Sequence, residues 1–217
     1  HITQDKVETA VHTRLTRNRD ITELWVFTRN RSGLFADLTK AISSCGASIV
    51  GARLHTGEEG QVFNVFYLQN SEKLAFGRQN QRALATLRTQ AQKAALGDIG
   101  DMTIPKPLHS RRAVAIPVKQ RVMFEQNESS DVTILEIEGR DRPGLLSDIA
   151  SIFRDNDVEV LSAHIEVVGT RAIDAFYLFL PKGVNESTQN CALPKKTKKK
   201  LKEQINSLLS PKLSQAA

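Results

Sequence analysis

Residues 139–146 read Gly-Arg-Asp-Arg-Pro-Gly-Leu-Leu, and residues 28–35 read Thr-Arg-Asn-Arg-Ser-Gly-Leu-Phe. Both stretches contain a polar turn with a glycine. The residues before each turn are rich in β-branched, aromatic and aliphatic types, and the apolar residues after it recur at steps of three and four. The first composition favours a strand, and the second spacing favours a helix. Each stretch therefore predicts a strand that leads through a tight turn into a helix.

The two stretches belong to an internal duplication with an offset of 111 residues. When residues 22–56 are aligned with residues 133–167, 8 of 35 positions are identical, and several others exchange one apolar residue for another. A repeat of this kind predicts two small domains of the same fold. The identical pairs are Thr22/Thr133, Leu24/Leu135, Arg29/Arg140, Arg31/Arg142, Gly33/Gly144, Leu34/Leu145, Asp37/Asp148 and Ala52/Ala163.

The rest of each copy predicts the same order of elements, strand–helix–strand–strand–helix. That order is typical of a ferredoxin-like fold, in which both helices pack on one face of an antiparallel sheet. The predicted fold class is therefore α+β, with two ferredoxin-like domains in tandem. The later elements are expected at residues 48–56, 61–68 and 71–96 in the first copy, and at residues 159–168, 171–180 and 194–209 in the second.

The domain boundaries follow from this order. A ferredoxin-like fold usually has one more strand, and we expect residues 113–118 to supply it for the first copy. Residues 121–125 are expected to pair with the first strand of the second copy. The predicted division is a lead-in (1–21), a first domain (22–96), a linker with extra strands (97–130), a second domain (131–210) and a tail (211–217).

Composition and charge exclude several classes of protein. The chain has 217 residues and a net charge of +6, but six of its 30 basic residues are lysines within residues 195–202, which leaves 24 basic against 24 acidic residues. No broad basic face for nucleic acid is therefore predicted. We interpret the lysine run as a solvated helix face, with a weakly bound anionic partner as the alternative.

Nothing in the sequence predicts a membrane or secreted protein. No segment approaches the roughly 20 apolar residues of a membrane-spanning helix, and the first residues lack the pattern of a signal peptide. The two cysteines, Cys45 and Cys191, lie far apart and without a neighbouring partner, so reduced thiols are expected. The expected location is cytoplasmic.

The motif at residues 139–146 resembles the signature of ACT domains, small regulatory modules that bind amino acids. Ala163-His164-Ile165 together with residues 169–177, and Gly33-Leu34-Phe35-Ala36 together with residues 52–56, resemble the C-terminal end of the bifunctional uridylyltransferase/uridylyl-removing enzymes. That family modifies the PII nitrogen-signalling protein. The resemblance extends from about residue 22 to residue 209.

The resemblance implies an allosteric region that senses an amino acid, glutamine in this family, and shifts the parent enzyme from uridylylation to uridylyl removal. PII would then be a partner through the parent enzyme, and self-association through the ACT sheets is a further expectation. The alternative is a free-standing ACT protein that regulates a separate partner. A single-stranded nucleic-acid binder is a third class, but the aromatic residues lack the interleaved basic residues that it needs. The residues alone do not select glutamine over another amino acid.

No catalytic centre, metal site or cofactor is expected on this chain. The family implies a nucleotidyltransferase domain and an HD-type hydrolase domain upstream, and Mg²⁺ is expected in those domains. The single Asp-x-Asp here is Asp155-Asn156-Asp157, without a glycine-rich turn before it, and none of the five histidines is followed by aspartate. These patterns do not supply the clustered ligands of a metal site.

The turn before each first helix is the predicted ligand site. Backbone N–H groups at a helix start attract a carboxylate, and a glycine there lets a ligand approach the backbone closely. Asn30 and Asp141 can accept a hydrogen bond from the ammonium of an amino acid. Asn64 and Asp174, at matching positions on the third strand, are secondary candidates. The predicted set is Asn30, Gly33, Leu34 and Asn64 in the first copy, and Asp141, Gly144, Leu145 and Asp174 in the second.

The two predicted sites are unequal. Asp141 is charged where Asn30 is neutral, and Ser32 stands where the second copy has Pro143. We expect Pro143 at the first helical position, where its missing N–H costs nothing, and we expect the second site to bind an amino acid more tightly. ACT sheets often join edge to edge with ligands near the seam, so we expect the two copies to do the same.

Overall fold

The computed structural model describes residues 8–16, 20–57, 60–100, 102–104, 118–125, 131–181 and 191–210. These residues form eight strands and four helices. In chain order they are β1 (Ala10–Thr16), β2 (Ile21–Arg29), α1 (Leu34–Ser44), β3 (Ser48–Thr56), β4 (Gln61–Gln69), α2 (Gln81–Ala95), β5 (Arg121–Phe124), β6 (Thr133–Arg140), α3 (Leu145–Arg154), β7 (Glu159–Val168), β8 (Arg171–Phe179) and α4 (Lys195–Leu209).

All eight strands join one antiparallel sheet in the order β1-β2-β4-β3-β7-β8-β6-β5. Each copy contributes one half, and the halves meet where β3 pairs with β7. In that seam Ala52 lies opposite Ile165, and Arg53 lies opposite His164. Arg53 and His164 are equivalent in the duplication, so the seam relates the copies by an approximate two-fold axis. The predicted edge-to-edge joining of the copies is confirmed.

The helices pack on one face of the sheet in the row α2-α1-α3-α4, so the predicted fold class is confirmed. Alternate strand residues point towards the helices and are buried, as expected for a sheet with one covered face. The core is continuous across the seam. Phe35 on α1 lies 6.4 Å from Phe66 of its own copy and 6.3 Å from Phe176 of the other, measured between ring centroids. Phe153 packs edge-on against Phe176 at 5.0 Å.

The outer strand of each half precedes the first strand of the repeat. β5 pairs with β6, which agrees with the prediction for residues 121–125. The place beside β2, expected for residues 113–118, is held by β1, which lies within the predicted lead-in. A strand adjacent in sequence closes a shorter loop than a distant one, at a lower entropic cost. Residues 113–117 and the predicted tail, 211–217, lie outside the described residues.

The second helix of the first copy is shorter than predicted. α2 begins at Gln81, ten residues later than the expected start, because the preceding polar side chains bond to the backbone instead. The side-chain oxygen of Asn70 accepts hydrogen bonds from the backbone N–H groups of Glu72 and Leu74, at 3.0 and 2.9 Å. Asn80 caps the helix by accepting from the N–H of Ala83 at 3.1 Å. Such local bonds compete with helix formation.

None of the helices in the described part of the chain is long and apolar enough to cross a membrane.

Candidate functional site

Each copy places its glycine in a tight turn immediately before its first helix. In the second glycine turn (residues 141–145), Gly144 has φ 79° and ψ −2°, and the N–H of Leu145 donates to the carbonyl oxygen of Arg142 at 3.1 Å. Gly33, in the first glycine turn (residues 30–34), has φ 72° and ψ 4°. These angles are those of the third residue of a type II turn, which favours glycine because a side chain there is strained.

Pro143 lies in the turn and not in the helix. The prediction that it occupies the first helical position is wrong, because α3 begins at Leu145 and Gly144 is its N-cap. Pro143 is instead the second residue of the turn, where its fixed φ is favourable. Ser32 takes this place in the first glycine turn, without that restriction.

The hairpins hold both turns in position. The backbone N–H of Asn30 donates to the carbonyl oxygen of Gly60 at 2.7 Å, and that of Asp141 donates to Thr170 at 2.9 Å. Because Gly60 and Thr170 lie in the connections of the β3–β4 and β7–β8 hairpins, each turn is fixed to its own half of the sheet. Duplicated sequence thus produces duplicated backbone geometry.

The second glycine turn lines a cleft at the seam between the copies. The cleft brings together all four residues of the predicted second set, Asp141, Gly144, Leu145 and Asp174. Its opposite wall comes from the first copy. The lining residues are Ser43, Ser48 and Ile49 from the first copy, and Asp141, Arg142, Pro143, Gly144, Leu145, Leu146, Ile165, Val167, Ala172 and Asp174 from the second.

Two carboxyl groups lie close together in this cleft. Asp174 is 3 % exposed, and its Oδ1 has no hydrogen-bond partner among the described residues. Burial, followed by the negative charge of Asp141, raises the pKa of Asp174 to about 8, although a hydrogen bond from the backbone N–H of Glu166 opposes the shift. Burial also raises the pKa of Asp141. An unpaired buried oxygen costs about 1–3 kcal/mol, so a cationic hydrogen-bond donor would be stabilised here.

The cations beside Asp141 include Arg142, which is also paired with Asp148 at 2.5 Å between Nη2 and Oδ2. Arg142 and Lys73 lower the pKa of Asp141, but less than burial raises it. The helix start attracts negative charge, while the Asp141–Asp174 pair attracts positive charge. A zwitterion carries both.

The first glycine turn is covered by side chains from the second copy. The carboxylate of Glu159 lies beside the hydroxyl of Ser32 and the backbone N–H of Gly33, which lower its pKa, although burial raises the pKa more strongly. Arg154 lies over the same glycine, with its Cδ 3.1 Å from the place that a Cβ of Gly33 would take. Asn64 is buried on β4, in the position that matches Asp174. Asn30, Gly33 and Leu34 thus form a turn like the second one, but with different surroundings.

Sequence reasoning missed the residues that face each turn from the other copy. Glu159, Arg154, Ser43 and Ser48 were not in the predicted set. One signal was present, because the alignment pairs Ser43 with Arg154 and Ser48 with Glu159, a change from neutral to charged at both positions. The change of charge can be interpreted only from the structure, because the seam is what places these residues opposite the turns.

The described residues do not group three or more His, Cys, Asp or Glu side chains as a metal site would.

The chain is similar to known proteins over most of its length. Residues 133–186 match the ACT domain family. The bifunctional uridylyltransferase/uridylyl-removing enzyme of Caulobacter vibrioides is 40 % identical over 161 residues, which is 74 % of this chain and 17 % of that protein. The enzymes of the same description from Phenylobacterium zucineum and Azospirillum brasilense are 38 % and 34 % identical, over 78 % and 81 % of this chain and 18 % and 19 % of those proteins.

The chain thus spans less than one fifth of the length of these relatives. No solved structure matches it significantly. The glycine turn, the sheet order and the family match agree for the second copy, and the first copy repeats its architecture. The second copy is therefore an ACT-type domain, the first copy repeats its ferredoxin-like architecture, and the chain resembles a segment of the bifunctional uridylyltransferase/uridylyl-removing enzymes.

Proposed function

We propose that this chain is an allosteric sensor that binds a free amino acid, glutamine, at the second glycine turn. The observation that carries the proposal is the cleft in which a helix start lies beside the buried Oδ1 of Asp174, which has no hydrogen-bond partner in the described part of the chain. These two features suit the two charged groups that every free amino acid carries on one carbon.

The ligand would be held by complementary charges. Its carboxylate would lie at the backbone N–H groups of the second glycine turn, where the helix dipole favours an anion. Its ammonium would donate to Asp141 and Asp174. Hydrogen bonds to charged groups contribute about 1.5–3 kcal/mol each. Ser43 and Ser48 line the far side of the cleft, and their hydroxyl groups suit the amide side chain of glutamine.

Regulation would act through the seam. The cleft has walls from both copies, so a bound ligand would tie them together and shift the balance between two arrangements. The shift can be no larger than the difference in the ligand's affinity for the two arrangements.

The names of the relatives indicate where such a signal would be used. We propose that the chain regulates a uridylyltransferase/uridylyl-removing enzyme in the cytoplasm, with PII as the substrate of that enzyme. No cofactor is proposed for this chain, and Mg²⁺ would belong to the catalytic domains. Any self-association through the sheets would use the outer strands β1 and β5, because β3 and β7 already pair within the chain.

The test is calorimetric titration of glutamine into the chain and into the variant Asp141→Asn. Loss of one charged acceptor should weaken binding about tenfold, because about 1.4 kcal/mol corresponds to a factor of ten in Kd. The matched control is Asp20→Asn, since Asp20 is an exposed carboxylate paired with Arg78. Absence of glutamine binding, or an unchanged Kd in Asp141→Asn, would contradict the proposal.

A further inference from the structure

The first glycine turn already holds a carboxylate, and that carboxylate belongs to the chain. Glu159 begins β7 of the second copy, and its carboxylate lies across the seam beside the hydroxyl of Ser32 and the N–H of Gly33. Burial raises the pKa of Glu159, and these two groups oppose that shift by favouring the ionised form. Arg31, in the same turn, lies near enough to favour its ionised form. These are the kinds of partner that a helix start offers to a carboxylate ligand.

Arg154 completes the cover over this turn. Its Nη1 lies 3.4 Å from Oδ1 of Asp37, whose Oδ2 is 2.7 Å from Nη2 of Arg31. Its stem lies against Gly33. Arg154 Nε also lies 3.6 Å from Oδ1 of Asp155. Both guanidinium groups at the first turn are therefore paired with carboxylates of the chain itself.

The duplication shows what the second turn has in the same places. The offset of 111 residues pairs Arg154 with Ser43 and Glu159 with Ser48. Both serines line the cleft beside the second glycine turn. The second turn thus faces two short neutral side chains where the first faces a long cation and a long anion. The side chain of Ile104 lies over Gly144, with its Cγ2 3.4 Å from the place that a Cβ would take. The two turns therefore differ in the charge of the side chains that face them, which are charged at the first turn and neutral at the second.

We propose that Glu159 is a built-in substitute for the carboxylate of a free amino acid, so that the first turn is closed and the chain binds one ligand, at the second turn. The identity of that ligand rests on the proposed function. The occupation of the first turn by Glu159 does not.

The covalent connection favours Glu159 over any competitor. A tethered group is present at its site at an effective concentration in the millimolar range or above. A free carboxylate would have to displace it and would leave Glu159 without its partners near the seam. One end of the seam is therefore tied permanently, and the other end is tied only when a ligand is bound. Ligand binding would therefore add a connection between the copies at one end of the seam only.

The first experiment exchanges the covering residues between the copies. Calorimetry with glutamine should give one site for the native chain. The double variant Arg154→Ser/Glu159→Ser should show a second, weaker site, and Ser43→Arg/Ser48→Glu should weaken binding at the second turn at least tenfold. The matched control is Glu203→Ser, which removes an exposed carboxylate on α4. Two sites in the native chain, or an unchanged single site in both double variants, would overturn the inference.

The second experiment does not depend on an amino acid. In NMR spectra of the native chain, the amide signal of Gly33 should shift with the titration of a carboxyl group, and Glu159→Gln should remove that shift. Glu159→Gln is also the conservative choice if the double variant fails to fold. In Glu159→Ser, acetate alone should move the Gly33 signal, whereas in the native chain it should not.

The two proposals can fail separately. A Gly33 signal that titrates identically in the native chain and in Glu159→Gln would overturn the inference about Glu159, whatever the calorimetry shows. A Gly33 signal that depends on Glu159, in a chain that binds no amino acid, would support the built-in carboxylate and refute the proposed function.

Discussion

Replacing Asp174 with asparagine should remove a defined part of the pH dependence of folding. The folded chain raises the pKa of this carboxyl from 3.8 to about 8, so the group stays protonated in the native state after the unfolded chain has lost the proton. Its contribution to stability is fully present below pH 3.8 and is lost as the pH rises towards 8. Between these limits the free energy of unfolding should fall by about 1.36 kcal/mol per pH unit.

From pH 5 to pH 7 the native chain should therefore lose about 2.5 kcal/mol that Asp174→Asn does not lose. An amide is compatible with this place in the fold, because Asn64 is buried at the matching position of the first copy. The advantage of the variant over the native chain should grow with pH.

The assay is urea unfolding at pH 5, 6 and 7, followed by the fluorescence of Trp25, the single tryptophan. Comparing each variant with the native chain cancels the other titrating groups. The matched variant is Asn64→Asp, which places a carboxyl group in the equivalent position and should make the pH dependence steeper. If the stability difference between Asp174→Asn and the native chain stays constant from pH 5 to pH 7, the buried-carboxyl argument is refuted.

Two further predictions concern the ligand and the seam. An ammonium beside Asp174 favours its ionised form, so glutamine binding near pH 7 should release a proton. The Kd for glutamine should therefore fall as the pH rises from 6 to 8. Binding heats that do not depend on the ionisation enthalpy of the buffer would contradict this prediction. Phe176→Ala should destabilise the chain by about 3–5 kcal/mol in urea unfolding, because Phe176 is fully buried between Phe35 and Phe153. Tyr177→Ala, at a side chain 39 % exposed, is the control, and an equal loss in both variants would contradict a core that runs through the seam.

Regular patterns were sufficient for the order of elements. The strands and the first helices are close to their predicted positions, because alternation and helical spacing are repeated along each element. The start of α2 was predicted wrongly, because Asn70 and Asn80 bond to the backbone and override the helical propensity of the residues around them. The position of β1 was missed because no local pattern says which strand lies beside β2.

The residues of the candidate site also fall into two groups, those that the sequence identified and those that only the structure identified. The glycine turns, and with them Asp141, Gly144 and Leu145, were identified by the sequence signature. Asp174 was a candidate from the alignment alone, and its unusual pKa follows from burial, which depends on the whole fold. The charged residues that face the first turn and the neutral ones that face the second were not identified at all.

Sequence alone was therefore enough for the duplication, the element order and the turns, because these depend on residues a few positions apart and on a repeat visible along the chain. Tertiary structure was needed for the seam and for the unequal surroundings of the two turns. The contact between Arg154 and Asp37, for example, joins residues 117 positions apart. Such contacts exist only after two sheet edges have paired, and that pairing is set by the packing of both copies into one core.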